Sequence, residues 1–485
     1  MKTIMNSKAA IVLDNSVILN EVKNLDKEST AGLRFFVALL LRMTIVGVFI
    51  GCIFTANAAE IPAAKQDHPI AITGATIHTV SGAVIEHGTI LFDNGKITAL
   101  GTDVNIPAGA EKIDATGKHV YPGLIDARSN LGLTEIGAVR GTNDIGEVGD
   151  INPNVRAEVA INPESELFPV TRANGVTTAV TMPSGGTISG TAAVINLDGW
   201  TWEDMTLKAP IGMVVNWPSM TINHAWWERR SEDDQKKDRD KALSVLKNSF
   251  KEARAYLKAK HAEGGSAVPY HNVDMRWEAM APVLDRKIPV LVDGEEIQQI
   301  EAAVAWADQE NVNLVILGGY DAWRAADLLK ARDIPVIVNP IMRLPWRRFE
   351  AYDESQSLPK KLYDAGVKFC ISGEAGSSNE RNLPYHAAVA AGHGLPKDEA
   401  MKSITLYAAQ ILGVSDRLGS LEVGKDANII VTDGDPLEIT SNVQLEFIQG
   451  KNIPLTTRHT RLYDKYKIKY DRQKSGGSDA KKTIQ

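Results

Sequence analysis

Histidine, cysteine and paired carboxylates do most side-chain chemistry at neutral pH, and in this chain the first two are sparse. The ten histidines form no His-x-His and no His-Glu-x-x-His. Neither spacing that aims two imidazoles from one strand or helix at a shared metal is therefore present. His224, His271 and His386 fall in loops or at helix starts of the middle region, and His386, in Asn382-Leu-Pro-Tyr-His386, follows a strand-like run and is best placed for a pocket. Of the two cysteines, Cys52 lies in an apolar leader. If that leader is removed, Cys370 stands alone, which excludes an internal disulfide and a thiolate zinc site. Arg140 to Asp150 is a polar stretch with Asn143, Asp144 and Glu147, either a functional loop or a solvated one. Trp226-Trp227 is expected to cap a helix layer rather than stack on a ligand, and Trp323 to pack a helix.

The elements that must position these groups follow from periodicity. Ile70-Ala-Ile72, Thr89 to Phe92 and Lys96 to Leu100 alternate apolar and polar residues, with Asn94-Gly95 between the last two. That dipeptide suits a two-residue hairpin because both positions need positive φ. Similar short runs return at Gly419 to Val423, Ala427 to Thr432 and Val443 to Gln449, so strands from both ends of the chain are expected to make one small composite β-domain. Between them lie continuous apolar runs at 175–180, 211–215, 288–292, 314–317, 334–338 and 367–371, with amphipathic segments such as Gln298 to Asn311 following. Parallel strands covered by helices have this pattern, in a barrel or in an open doubly wound sheet. No Gly-x-Gly-x-x-Gly or P-loop follows any of these strands, which counts against nucleotide binding. Glu228 to Lys260 is dense in charge and predicts a solvated helix, and the tail from Arg458 predicts a frayed helix and a polar end.

The 485 residues are ordinary for soluble globular protein in apolar (44%) and charged (23%) content, so a sizeable core is expected. The net charge of -7 argues against a nucleic-acid footprint, which needs a basic stripe. Leu33 to Ala58 carries Arg34 and Arg42, an apolar run and Ala56-Asn-Ala58, the pattern of a secretory signal peptide. A membrane anchor fits less well, because the uncharged run after Arg42 is shorter than the ~20 residues that span a bilayer. Export is therefore expected, with contact to a membrane only through this segment. Residues 1–32 form an unusual upstream extension, and Met43 is an alternative start.

Two stretches carry a resemblance to a known family. Gly117-Lys-His-Val-Tyr-Pro-Gly-Leu-Ile-Asp-Ala127 resembles the entry into the barrel of the amidohydrolase superfamily. Leu418-Gly-Ser-Leu-Glu-Val-Gly-Lys-Asp-Ala-Asn-Ile-Ile-Val-Thr-Asp-Gly-Asp-Pro436 resembles that family's return into its small β-domain, and the likeness is nearest to the imidazolonepropionase-like branch. The resemblance implies a TIM-like (β/α)8 barrel of the metal-dependent hydrolase type at 122–417, with a small composite β-sandwich domain at 69–121 and 418–453. It leaves 1–58 as the signal region and 454–485 as a polar, basic tail. It also implies hydrolysis of C–N bonds other than peptide bonds, at the C-terminal ends of the strands.

The same resemblance implies where metal ligands should stand: His-x-His on the first barrel strand, His on the fifth, His on the sixth and Asp on the eighth. At those positions this chain has Arg128 and Asn130, then Asp293 with Glu295 two residues on, then Gly318 with Tyr320 and Asp321 beside it, then Glu374. The usual zinc set is absent, so no zinc of the usual kind is expected; an oxygen-rich set of Asn130, Asp293 and Glu374 leaves a hard divalent cation open. Buried carboxylates need a partner, and Arg128 is expected to bond Asp293 or Glu374 in place of a metal. Asp293 and Glu374 are the candidate catalytic groups, and Arg128, Asn130, Glu295, Tyr320 and His386 the candidate pocket residues. Two functions compete: a hydrolase with an altered site, or a non-catalytic relative that binds a small molecule. Oligomers are compatible with either.

Overall fold

A computed structural model describes residues 61–263, 270 and 272–480. The expected signal segment and His271 lie outside the described residues. Among the described residues sixteen strands form two sheets. In chain order they are β1 (Ile70–Ile77), β2 (Ile85–Asp93), β3 (Lys96–Gly101), β4 (Glu111–Asp114), β5 (His119–Pro122), β6 (Leu124–Ser129), β7 (Val176–Thr181) and β8 (Ile188–Asn196). There follow β9 (Thr206–Asn216), β10 (Val290–Gly294), β11 (Leu314–Gly318), β12 (Val336–Val338), β13 (Phe369–Ile371), β14 (Ile429–Thr432), β15 (Val443–Ile448) and β16 (Lys451–Ile453).

The first sheet runs β16-β15-β14-β5-β1-β2-β3, with β4 also on β1. Strands from both ends of the chain therefore share it, joined where β14 lies antiparallel to β5. The Asn94-Gly95 turn forms as its sequence predicts: Asp93 faces Lys96, and the two turn residues have φ of 49° and 76°. Hydrogen bonding passes through all eight strands, and the sheet folds onto itself: the Phe92 ring of β2 lies 5.0 Å from the Phe447 ring of β15, four strands away. On one edge β1 pairs with β4 through Ile70–Thr73 and with β5 through Thr76 and Ile77. The core between the facing halves holds Ile72, Ile90, Phe92, Ile429 and Phe447.

The second sheet, β13-β12-β11-β10-β9-β8-β7-β6, is a nearly closed barrel. Inward residues such as Ile125, Ala127, Val180, Val214, Leu291, Val315, Ile337 and Cys370 fill its interior. The alternate residues Leu124, Val290, Val292, Ile316, Val336 and Phe369 pack outward on the helices. Both faces are apolar, which accounts for the continuous hydrophobic runs. Helices Ile297–Glu310 and Glu354–Ala365 each end on a left-handed residue, Asn311 and Gly366, which satisfies their last carbonyls.

One strand was not legible. β8 runs antiparallel to both β7 and β9. Only 182–187 connects β7 to β8, and a parallel crossover needs a dozen or more residues, so the chain must turn straight back. Gly185 and Gly186 make that turn with φ of 94° and 63°. The second reversal brings β9 back into the direction of β7. The count of eight strands is thus kept while one strand-helix unit is replaced by a hairpin.

The Pro-Gly passage from β5 into β6 has a steric cause. A Cβ on Gly123 would stand 2.1 Å from Thr177 Oγ1 on β7. No other residue lets the chain cross from the first sheet into the barrel so closely. The charged stretch forms the 31-residue helix Glu232–Ala262, which buries Leu246, Phe250 and Ala253 and exposes most of the rest. Trp226 and Trp227 correct an expectation: they cap no helix layer and are 90% and 64% exposed, packed edge-on against each other. Trp323 does pack, with Arg324 and Lys361 against its ring.

Candidate functional site

At the C-terminal ends of the barrel strands, polar side chains replace the apolar interior. The last inward residues of β6 and β10 lead to Arg128 and Asp293, whose Nη2 and Oδ2 are 2.8 Å apart. Arg128 Nη1 also donates to Asn339 Oδ1 at 3.0 Å, just past β12. The guanidinium therefore spans the mouth from the first barrel strand to the fifth and seventh. Its side chain is 15% exposed and that of Asp293 35%, so the pair is partly shielded from water.

Glu295 follows β10 and turns toward β11. Its carboxylate accepts from Tyr320 N at 3.0 Å and from Arg343 Nη1 at 3.4 Å. Burial raises its pKa, opposed by the charges of Arg343 and Arg128. Tyr320 is buried, and its hydroxyl donates to Glu350 Oε2 at 2.7 Å while accepting from Trp346 N at 3.3 Å. Burial, and then the bond to Glu350, push the Tyr320 phenol up to about 12. It is a fixed structural hydroxyl, not an acid at neutral pH. Asp321 is held by both nitrogens of Arg347, at 2.9 and 2.6 Å.

Two sequence candidates lie elsewhere than expected. Glu374 is exposed and accepts from Asn379 Nδ2 at 2.8 Å; its partner is not Arg128, which is already engaged by Asp293. His386 lies in the first turn of the helix Leu383–Gly392 and is wholly buried with neither ring nitrogen bonded, so it is no wall of an open pocket. The helix packs directly beneath the end of β13, and burial lowers the imidazole pKa. Asn130 sits at the mouth, its N–H donating to Gly376 O at 3.0 Å and its Oδ1 buried without a donor.

Sequence reasoning missed a second polar cluster, at the seam between β6 and β13. No backbone ladder joins these strands. Asp126 bridges them, because its Oδ1 accepts from Ser372 Oγ and from Gly373 N at 3.2 Å. Glu380 lies alongside, accepting from Gly376 N at 2.9 Å. Both carboxyls are fully buried. Burial first, then Asp126, hold Glu380 far above the usual carboxylate range, which favours its protonated form. Gly373 is required there, since a Cβ would meet Glu380 Oε2 at 1.8 Å. The signal for the other missed residues, Asn339, Arg343, Arg347 and Glu350, was the arginine- and aromatic-rich segment around Pro340 and Pro345 just after a strand.

The amidohydrolase family model matches residues 351–457. Amidohydrolase tasK of Hapsidospora irregularis is 24% identical over 397 residues, 75% of this chain but only 39% of that protein's length. The imidazolonepropionase of Thermoplasma volcanium is 24% identical, covering 72% of this chain and 85% of its own. That of Mesorhizobium japonicum is 25% identical, covering 78% and 92%. An amidohydrolase structure from Thermotoga maritima superposes with a TM-score of 0.71 at 26% identity, over 79% of this chain and 99% of the other. In sequence over most of its length, and in fold, the chain is similar to proteins of the amidohydrolase superfamily, imidazolonepropionases among them, in line with its entry and closing motifs.

The superfamily usually binds metal, and the residues at the positions where the resemblance implies ligands can be tested against that requirement. Arg128 is a cation without a lone pair to give, and it occupies Asp293. Gly318 has no side chain, and the space beside it is filled: a Cβ there would be 2.7 Å from the Glu295 carboxyl carbon. Glu374 points to solvent and Asn379. Of the set a hard cation would need, Asp293 is held by Arg128 and Glu374 is exposed and held by Asn379. Among the described residues no group of three His, Cys, Asp or Glu side chains is spaced to hold a metal ion. This donor set does not fit the superfamily's metal.

Proposed function

We propose that this amidohydrolase-superfamily barrel has exchanged its metal centre for an arginine-centred ion-pair network and binds a small molecule at its mouth without metal-dependent hydrolysis. The observation that supports this most directly is the Arg128 guanidinium, held at 2.8 Å from Asp293 and 3.0 Å from Asn339 at the metal-ligand positions. A fixed positive charge there satisfies the carboxylate that would otherwise need a metal, and repels a second cation. Metal analysis of protein purified without chelator is the test: less than a tenth of an equivalent of zinc, magnesium or calcium is expected, to within about that margin. Stoichiometric metal that Asp293→Asn removes would defeat the proposal.

A second reading is favoured by Glu295. Burial moves its carboxyl toward the range of a general base, so a metal-free C–N hydrolase would use Glu295 rather than Asp293 or Glu374. Turnover of acyl-amino acids that resists chelator and is lost in Glu295→Gln would establish it. Export, resting on residues 33–58, belongs to the same proposal; amino-terminal sequencing of the secreted chain tests it.

A further inference from the structure

Three arginines surround the mouth, and they are not equally occupied. The Arg347 guanidinium gives two bonds to Asp321 and one to Glu350, whose other oxygen accepts from the Arg347 backbone N–H. Arg128 is shared between Asp293 and Asn339. Arg343 makes one long bond, 3.4 Å to Glu295, and its other N–H groups meet no acceptor among the described residues. Yet Arg343 is well held. Its guanidinium lies 4.0 Å from the Trp346 ring centre and 4.8 Å from that of Tyr320, and its side chain is only 15% exposed. Both walls are themselves fixed, because Trp346 N donates to the Tyr320 hydroxyl and that hydroxyl donates to Glu350.

A guanidinium held against two rings, with a single long bond to Glu295, has donors left for an incoming acceptor. Those donors match a planar carboxylate. Charge selects further: Arg128 and Arg343 face Asp293 and Glu295, so the cluster is close to balanced and favours a monoanion over a phosphate dianion. Beside it the same loop exposes Met342, Leu344 and Phe349. Such a flank suits an apolar body on the ligand.

We propose that Arg343 is the specificity-determining residue of the mouth, receiving the carboxylate of a small organic acid whose apolar part lies against Leu344 and Phe349. This rests on the metal-free binding reading above. The full chain is titrated with benzoylglycine, N-acetylleucine and N-acetylglycine and with their uncharged amides, following tryptophan fluorescence and heat. At least one acid should bind about tenfold or more tighter than its amide, as a charge-assisted fork requires. Arg343→Met should erase that preference, and Arg343→Lys, which keeps the charge without the fork, should retain only part of it. Thermal melts of both variants establish that they are folded. Saturable binding by none of the acids, equal affinity for acid and amide, or an unchanged preference in folded Arg343→Met would each overturn the proposal. Stoichiometric metal with the preference intact would instead defeat the metal-free reading alone.

Discussion

Glu295 and Gly318 exclude each other's alternatives: the glutamate carboxyl carbon lies 2.7 Å from where a Cβ on Gly318 would stand. The sixth strand's ligand position is therefore empty of side chain because the residue after the fifth strand has folded over it. Gly318 also has φ of +87°, which disfavours any residue with a Cβ. Gly318→Ala should lose about 1–3 kcal/mol of stability in urea melts. Adding Glu295→Ala should recover the part due to the clash and leave the part due to φ. Equal stability of Gly318→Ala and the parent would show that the carboxyl moves away freely.

The Arg128–Asp293 pair predicts a coupling that a double-mutant cycle reads directly. Arg128→Met leaves Asp293 and Asn339 without their donor, and Asp293→Asn leaves Arg128 with a neutral acceptor. Their combined effect should fall short of the sum by about 0.5–3 kcal/mol, the range for neighbours in one network. The pair is partly exposed, which places the expectation in the lower half of that range. Strict additivity would mean that the guanidinium does not carry the mouth.

Asp126 and Glu380 predict a pH dependence of the barrel seam. Glu380 has an ordinary pKa near 4.5 when unfolded and a much higher one when folded, because burial and Asp126 oppose its ionisation. Its contribution is fully present below the ordinary carboxylate range. It is lost as pH rises toward the folded value, by at most about 1.4 kcal/mol per pH unit for one proton. Glu380→Gln keeps a donor to Asp126 but cannot ionise. Melting temperatures taken from about pH 5 to about pH 9 should fall more steeply for the parent than for this variant. Parallel curves would place the proton elsewhere.

How much of this was visible in the chain depends on the range of the interaction. The Asn94-Gly95 hairpin, the parallel strands β9 to β13 and the long charged helix follow from local periodicity and turn chemistry, and the structure reproduces them. β8 does not, because Ile188 to Asn196 reads as apolar as its parallel neighbours and only the six-residue connection before it sets its direction. The pairing of Arg128 with Asp293 was one of two expected, Glu374 being the other, because the resemblance put all three at ligand positions and a buried carboxylate needs a partner. Glu374 was misplaced for a tertiary reason: Arg128 was already engaged, and Asn379 offered a nearer donor. The buried Asp126–Glu380 pair joins residues 254 positions apart through a seam without a ladder, and no local pattern announces it.

Tyr320 holds the loop that carries Arg343, which gives a prediction separable from global stability. Its hydroxyl ties Glu350 and Trp346 N, while its backbone N–H, bonded to Glu295, does not depend on the side chain. Tyr320→Phe keeps the ring under Arg343 and removes both hydroxyl bonds. The loss should be local, about 1 kcal/mol in amide exchange protection over residues 343–350, with the barrel strands unchanged. Glu350 would then rely on Arg347 alone, so Arg347 keeps its two bonds to Asp321 while the loop tip loosens. Protection lost equally in β10 to β12 would mean that the tyrosine supports the barrel; protection lost in the loop alone places it as the post on which the mouth's stacked arginine is hung.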